Sequence, residues 1–599
     1  MFVLDCEVYP NYFLIGFKHL KTGKYYMFEK SSGAELPGLK LNKEAIELLM
    51  SKKTCGFNSL KFDLPILAKA LNGANNKTLF NICQEIIEGK GYYFAARYYG
   101  LEIPPGWNHV DIVDVAPGMA GLKLYGARLH SGNLKDLPIE PGTTITPLLR
   151  KELQEYCKID LDVTERLLRE LHPQYKLRVA MSKQYKMDLR SKGDAQIAES
   201  VLVKEIVRKA KRNICKPGKV PEFARYRDPK IIEFYDKKLE QFKYDLINTR
   251  FEISAKGSIL MPDWLKNADV RVNGTPYKVG IGGLHSCEKA RLLKPREGEF
   301  LIDADVASYY PSIVLEQGIY PRHIGKEFSS VYEDIVKRRL KAKKDKDKTT
   351  ADTLKIVVNA SFGKLGNKYS YLYSPDLFLQ VTITGQLALL MLIERIEGAG
   401  IEVVSANTDG VLCTGQYAQL PDLKEALWNW ELDTSYALEQ TMYRLFGQRD
   451  VNNYFALALD GSIKTKGVFA PPGLVKNPDG QIVYDAVIKH FSDGVLYTKT
   501  IQECRDICKF LTVRTVTGGA VYNGQLLGKN IRYYRVNHKV DSSVIDNAIR
   551  YCKNNNIVPK SENCKPLMVL PEQFPNDVNY NYYAKQARTL IDLIEGRPK

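Results

Sequence analysis

The sequence predicts a multidomain protein of mixed α/β and α+β class, and three observations carry that prediction. The length of 599 residues corresponds to roughly three to five domains. Two strand patterns, FVLDCEV and YFLIGF, open the chain and lead into a helix-rich stretch, which is an α/β arrangement. The centre is built differently: a strand (EFLIDADVA), a group of helices, then a strand–turn–strand (IEVVSANTDGVLCTG), as in an α+β unit. Apolar residues make up 44% and charged residues 26% of the chain, the proportions of a folded protein.

In chain order, the first 180 residues close on the amphipathic run LLRKELQEYCKIDLDVTERLLREL, read as one long helix. Ser182 to about Glu252 reads as helical and basic, and the glycine-rich GIGGLHS at 280–286 ends it. A charged helix (VYEDIVKRRLKAKKDKDK), a shorter one (TLKIVVNASFG) and a long apolar helix lie between the central strand and the hairpin. The last 120 residues are mixed. No fixed-period repeat and no Pro- or Ser-rich linker divides the chain, so its domains are expected to pack together.

Lys plus Arg number 86 and Asp plus Glu 69, a formal charge of +17. A large chain this basic points to a polyanion as partner. The longest charge-free apolar stretch, Leu377 to Ile393, is interrupted by Gln380, Thr382, Thr384 and Gln386, and reads as a core helix too short and polar to span a membrane. The N-terminal MFVLDCEVYP has no basic start and carries Asp5 and Glu7 where a signal peptide would be apolar. Eleven cysteines include no C-x-x-C pair, which argues against a zinc ribbon or a disulfide scaffold. The expectation is a reducing, cytoplasmic compartment and no membrane association.

Asp5 and Glu7 lie two apart in a strand, so both carboxylates project from one face, roughly 6–7 Å apart along the chain. Paired acids repel unless a cation lies between them, and a divalent metal is the usual solution. FNSLKFD then offers Asn58 and Asp63, and YCKID places Tyr156 and Asp160 at i and i+4 on one helix face. Asp160 is chosen over Asp162 by the tyrosine spacing alone. D-x-E, N-x(3)-F/Y-D and Y-x(3)-D, in this order, resemble the three exonuclease motifs of proofreading DNA polymerases. The resemblance implies two-metal phosphodiester hydrolysis, with Asp5, Glu7, Asp63 and Asp160 as ligands, Tyr156 orienting the water and Asn58 touching DNA. Lys135, in NLKDLPI, is considered as a support for the scissile phosphate, with a solvated lysine as the blander reading.

A second set of acids lies in the centre. Asp303 and Asp305 share one face of the LIDADVA strand, and Asp409 sits in a hairpin tip, SANTDG. DVASYYPS (305–312) resembles motif A of family B DNA polymerases, KIVVNASFG (355–363) motif B, and SANTDG (405–410) motif C. The resemblance makes Asp305 and Asp409 the metal ligands and leaves Asp303 as neighbouring structure. Tyr310 is then placed under the incoming sugar, and Lys355 and Asn359 against the nucleotide. Arg339 and Lys343, i and i+4 in a run of eight Lys or Arg at 337–348, suit a triphosphate. Departures from the family pattern are Tyr309, Ala360, Phe362, Asn407 in place of the first motif C Asp, and Gly410. SIKTKG (462–467) loosely resembles the K-x-Y segment, giving Lys464 and Lys466 as DNA contacts. GIGGLHS resembles the glycine-rich Y-x-G-G segment, giving Gly282 and Gly283, with a simple tight turn as the alternative.

Taken together, the chain resembles a compact, bacteriophage-like family B DNA polymerase. That implies an RNase H-like exonuclease domain (1–185), a right-hand palm in two parts (186–318 and 371–472), fingers (319–370) and a thumb with the C-terminal region (473–599). It implies Mg²⁺, two ions per active site with Mn²⁺ tolerated. Expected partners are primer–template DNA, dNTPs, single-stranded DNA at the exonuclease site and replisome accessory proteins, in a host cytosol. Asn407 motivates a second reading, an exonuclease with a decayed polymerase half, and the charge motivates a third, a non-catalytic DNA-binding protein.

Overall fold

The computed structural model describes residues 1–537 and 547–597. The chain divides into two compact units, one of residues 1–193, 471–483 and 501–584, the other of 194–470, 484–500 and the residues from 585 on.

The first unit is organised by a five-stranded sheet. Strand β1 (Phe2–Tyr9) runs antiparallel to β2 (Tyr12–His19) and parallel to β4 (Thr54–Gly56). With β3 (Tyr25–Ser31) and β5 (His109–Asp111) the order is β3-β2-β1-β4-β5. The alternation read from the sequence decides which face each side chain of β1 serves. Leu4 and Cys6 enter one apolar cluster with Ile66 and Leu67 of helix α1 (Asp63–Leu71). Val3 and Tyr9 enter another with Leu153, Tyr156 and Cys157 of helix α3 (Pro147–Glu170), which follows helix α2 (Leu122–Arg128). Asp5 and Glu7 therefore face α3. That helix starts where sequence chemistry allows: the Thr146 hydroxyl accepts from the Leu149 N–H at 3.4 Å, and Pro147 fills the first turn.

Of the region expected at 473–599, residues 501–584 group with the N-terminal unit. The reason is physical. Strands Thr512–Tyr522 and Gln525–Arg535 carry Arg532, which is fully buried. Its guanidinium donates to the carbonyl oxygens of Ser131, Gly132, Leu567 and Met568. A buried cation without a carboxylate is tolerable only when its donors are satisfied in this way, and burial draws its pKa down to about 10. Residues 538–546 and 598–599 of that expected region lie outside the described residues.

The second unit is built on a sheet in which β6 (Glu299–Val306) is central. Helices α4 (Tyr309–Glu316), α5 (Glu327–Lys344), α6 (Lys348–Leu365) and α7 (Pro375–Gly398) follow. The hairpin β7 (Glu402–Asn407) and β8 (Gly410–Gln416) comes next, then β9 (Leu438–Asp450), β10 (Asn453–Ala458) and β11 (Ile463–Lys466). β6 pairs antiparallel with β8 on one side and β9 on the other. The charged helix ends earlier than its composition suggests, at Lys344. Asp347 then caps α6 by accepting from the Thr350 N–H at 3.1 Å. Helix α7 is longer than the apolar stretch seen in the sequence. By length and composition it could cross a membrane, but 89% of its apolar window is buried within the unit. The stretch read as helical from Ser182 to Glu252 is broken: helices at Asp194–Ala210 and Lys237–Asn248 are separated by irregular chain and the short strand Phe223–Arg225. Pro217, Pro221 and Pro229 fall in that break.

Candidate active sites

In the first unit, the carboxylate oxygens of Asp5, Glu7 and Asp160 lie within 4.8 Å of one another. Asp5 and Glu7 arrive on alternate residues of β1, and Asp160 from the facing turn of α3. Asp63 stands at the start of α1, where its Oδ1 accepts the Cys6 N–H at 2.9 Å, so it is anchored to the same strand from the other side. Burial raises the pKa of Asp5 well above the carboxylate range, and the charges of Asp63 and Asp160 raise it further. Burial, then Asp160, does the same to Glu7. Asp63 is pushed up to about 6 by burial, against the lowering effect of its Cys6 hydrogen bonds.

Sequence reading missed one member of this cluster. Lys123 of α2 forms an ion pair with Asp160, and its ammonium lies 4.1 Å from the centre of the Tyr156 ring. Tyr156 is buried one helical turn before Asp160, on the same face of α3. Lys135, the lysine singled out in the sequence, instead forms an exposed ion pair with Glu152 at 3.0 Å, which is the blander reading. Four buried acids face the single ammonium of Lys123, and their raised pKa values record the cost of ionising them together without a further cation. An all-oxygen donor set of this spacing fits a hard divalent cation, whose opposed ligands are about 4 Å apart.

Asn58 is exposed and left-handed (φ 58°), and its backbone N–H donates to Asp111 Oδ1 at 2.9 Å. Asp111, which sequence reading did not single out, also accepts from the Leu60 and Val113 N–H groups at 3.0 Å. It thus fixes the loop that leads into Asp63.

In the second unit, Asp305 stands opposite Gly410, the residue after Asp409. The Val306 N–H donates to the Asp409 carbonyl at 2.7 Å, so register brings the two acids of separate motifs together. A Cβ on residue 410 would lie 2.1 Å from Asp305 Oδ1, which accounts for the glycine where the family pattern has serine. Lys464 Nζ bonds Asp303 Oδ2 at 2.9 Å and Asp305 Oδ2 at 3.1 Å, and the Tyr443 hydroxyl donates to Asp303 Oδ2 at 2.9 Å. Asp303 is therefore held by two donors and Asp305 by one, and both border a cavity. Burial, then Asp305, raises the pKa of both Asp303 and Asp409. Burial alone would lower Lys464, but the charge of Asp303 overrides it and holds the amine protonated.

That cavity, about 820 Å³, is lined by the acids Asp303, Asp305, Asp352, Asp409 and Glu439 and by Arg339, Lys343, Lys346, Lys348 and Lys355 of α5, α6 and their connection, with Lys464 and Lys466 of β11. Arg339 is buried and donates to the Ser308 hydroxyl at 2.8 Å. Lys343 is exposed, 3.9 Å from Glu439. Lys337 and Arg338, of the same basic run, pair with Glu333 and Asp334 on the outward face. Lys346 and Lys348, which the sequence did not single out from the basic run, also line the cavity. Asn359 is exposed on α6 and is not part of the lining. The Tyr310 ring packs on Phe362 at 4.5 Å, and Phe362 stacks on Phe378 at 4.9 Å.

Lys464 and Lys466 both line the cavity, and Lys464 is engaged by acids rather than free for a DNA backbone. Gly283 packs under the motif C turn: a Cβ there would come within 2.6 Å of the Thr408 side chain. Gly282 has open space, and neither glycine adopts the left-handed conformation. Asn407 is not idle. Its Nδ2 donates to the Val451 carbonyl at 2.8 Å, and Thr408 Oγ1 donates to its Oδ1 at 3.1 Å.

No family model and no curated protein matches the chain. Among solved structures, it is similar to the family B DNA polymerase from the hyperthermophilic archaeon Pyrobaculum calidifontis. The similarity covers 99% of this chain and 77% of that one, at 14% sequence identity and a TM-score of 0.42.

Proposed function

We propose that the chain is a template-directed DNA polymerase of the family B type, adding dNTPs to a primer 3′-hydroxyl, with a separate 3′–5′ proofreading exonuclease. The observation that carries this reading is the meeting of Asp305 and Asp409, 104 residues apart in the sequence, at a cavity also lined by Arg339, Lys343, Lys346, Lys348 and Lys355.

Each residue then has a task. Asp305 and Asp409 are positioned to hold divalent cations, Mg²⁺ by the oxygen donors. Such ions, when bound, lower the pKa of the attacking hydroxyl and offset charge on the transferred phosphate. Arg339, fixed by Ser308, and Lys343, Lys346, Lys348 and Lys355 supply the positive wall for a triphosphate. Tyr310, braced by Phe362, presents a ring where a 2′-hydroxyl would be crowded. Asp303 and Lys464 keep the acid strand oriented. In the first unit, Asp5, Glu7 and Asp160, with Asp63 beside them, form the second metal-binding set. There Lys123, lying over the Tyr156 ring, holds the Asp160 carboxylate in place.

The small size of the chain and its Asn-Thr-Asp-Gly form of motif C support a phage-type replicative enzyme working in a host cytosol with primer–template DNA and replisome accessory proteins. Incubation of a labelled primer–template with Mg²⁺ and dNTPs tests the reading. Stepwise lengthening with pyrophosphate release is expected, and lengthening by Asp305→Ala at the wild-type rate would overturn it.

A further inference from the structure

A second cavity of about 610 Å³ in the second unit is lined by three arginines, Arg225, Arg227 and Arg322. None of their guanidiniums forms an ion pair or donates a hydrogen bond to a described residue. Arg225 alone has a ring contact, with Phe223 at 5.4 Å. Among the lining residues the single acid is Asp376, whose Oδ1 accepts the Arg225 backbone N–H at 3.2 Å.

These arginines are placed by the fold. Between Arg225 and Arg227, Tyr226 is buried, its hydroxyl 3.2 Å from Thr384 Oγ1, while both arginines are exposed and line the same cavity. The buried Gln380 side chain clamps the Arg227 backbone from both ends, accepting its N–H at 3.0 Å and donating to its carbonyl at 2.8 Å. Arg322 follows a buried Pro321 whose carbonyl accepts the Ile324 N–H at 3.0 Å. All three arginines are exposed at the cavity, so their guanidinium donors are open to a polyanionic group shared among them. The planar, multidentate guanidinium is the side chain suited to phosphate oxygens.

We propose that this cavity is a phosphate-binding site, separate from the cavity that carries Asp305 and Asp409. The phosphate belongs to a nucleic-acid strand or to a free nucleotide.

Two titrations in EDTA, where no metal-dependent chemistry runs, test this in the full-length protein. The first measures binding of a fluorescein-labelled dT15 strand against salt concentration, and the second measures dAMP by calorimetry. The variant is Arg225→Gln/Arg227→Gln/Arg322→Gln, with the corresponding triple lysine variant as a charge-retaining control. If a strand occupies the cavity, the log–log salt slope flattens by about 2, from about 0.7 per phosphate contact on single strands. The lysine variant keeps most of the slope. If a free nucleotide occupies it, the glutamine variant loses one dAMP site while the salt slope is unchanged. An unchanged slope together with unchanged dAMP binding overturns the proposal. Because neither titration uses catalysis, a failure of the polymerase reading leaves this result readable.

Discussion

Asn407→Asp restores the acid of the motif C pattern, and the structure predicts that in the metal-free protein it does harm. The asparagine amide donates to the Val451 carbonyl at 2.8 Å and approaches Asn452 Oδ1 at 3.4 Å. A carboxylate would turn acceptors toward both and add a charge two residues from Asp409. Leaving a carbonyl without its donor costs about 1–3 kcal/mol. If that loss falls on local opening of the β9–β10 turn, exchange of its amides accelerates about 5- to 150-fold. Hydrogen exchange of a peptide covering residues 448–455, in EDTA, reads this directly. Asn407→Ala, which removes the donor without adding charge, should lie between wild type and the aspartate. Added Mg²⁺ should slow exchange in the aspartate variant more than in wild type, since only that variant gains a ligand. Protection in Asn407→Asp equal to or above wild type without metal would refute the reasoning.

Three further outcomes are expected. Tyr310→Ala, which removes the ring braced on Phe362, should raise ribonucleotide incorporation relative to deoxynucleotide in single-nucleotide extension; unchanged sugar selectivity contradicts the assigned role. Lys123→Met should abolish most primer shortening, whereas Lys135→Met, on a surface ion pair, should leave it within about twofold, surface pairs being worth at most about 1 kcal/mol; the reverse ranking contradicts the site geometry. His109 is buried with Thr54 Oγ1 at 2.8 Å from Nδ1 and Ser59 Oγ at 2.7 Å from Nε2. Burial, then Arg190, lowers its pKa to about 3. Between pH 6.5 and 3 the unfolded chain therefore binds the proton that the folded one refuses. This stabilising contribution is whole above pH 6.5 and is lost as the pH falls, by about 2 kcal/mol at pH 5. Denaturant melts of wild type and His109→Gln should converge toward pH 5; parallel pH dependence contradicts the assignment.

What could be read from sequence was what depends on short-range periodicity. Asp5 and Glu7 at i, i+2 and Tyr156 and Asp160 at i, i+4 share a face by backbone geometry alone, and so do Asp303 and Asp305. The hairpin around Thr408 and Asp409 was legible from two apolar strands flanking a polar tip. Partners brought by packing were not legible. Lys123 is one lysine in an unremarkable LKLYG, and only the packing of α2 beside α3 carries it to Asp160. The donor role of Asn407 depends on Val451, 44 residues on. The grouping of 501–584 with the N-terminal residues rests on carbonyls reaching Arg532 from Ser131 and Gly132. The break at 211–236 was different in kind, since Pro217, Pro221 and Pro229 signalled it and charge patterning obscured it.

The most direct test of two separate metal-dependent centres is one gel of a labelled primer–template with Mg²⁺, with and without dNTPs, for wild type, Asp409→Ala and Asp5→Ala. The account predicts that Asp409→Ala shortens the primer but does not extend it, while Asp5→Ala extends but does not shorten. Loss of both activities in either variant, or extension by Asp409→Ala, would contradict it.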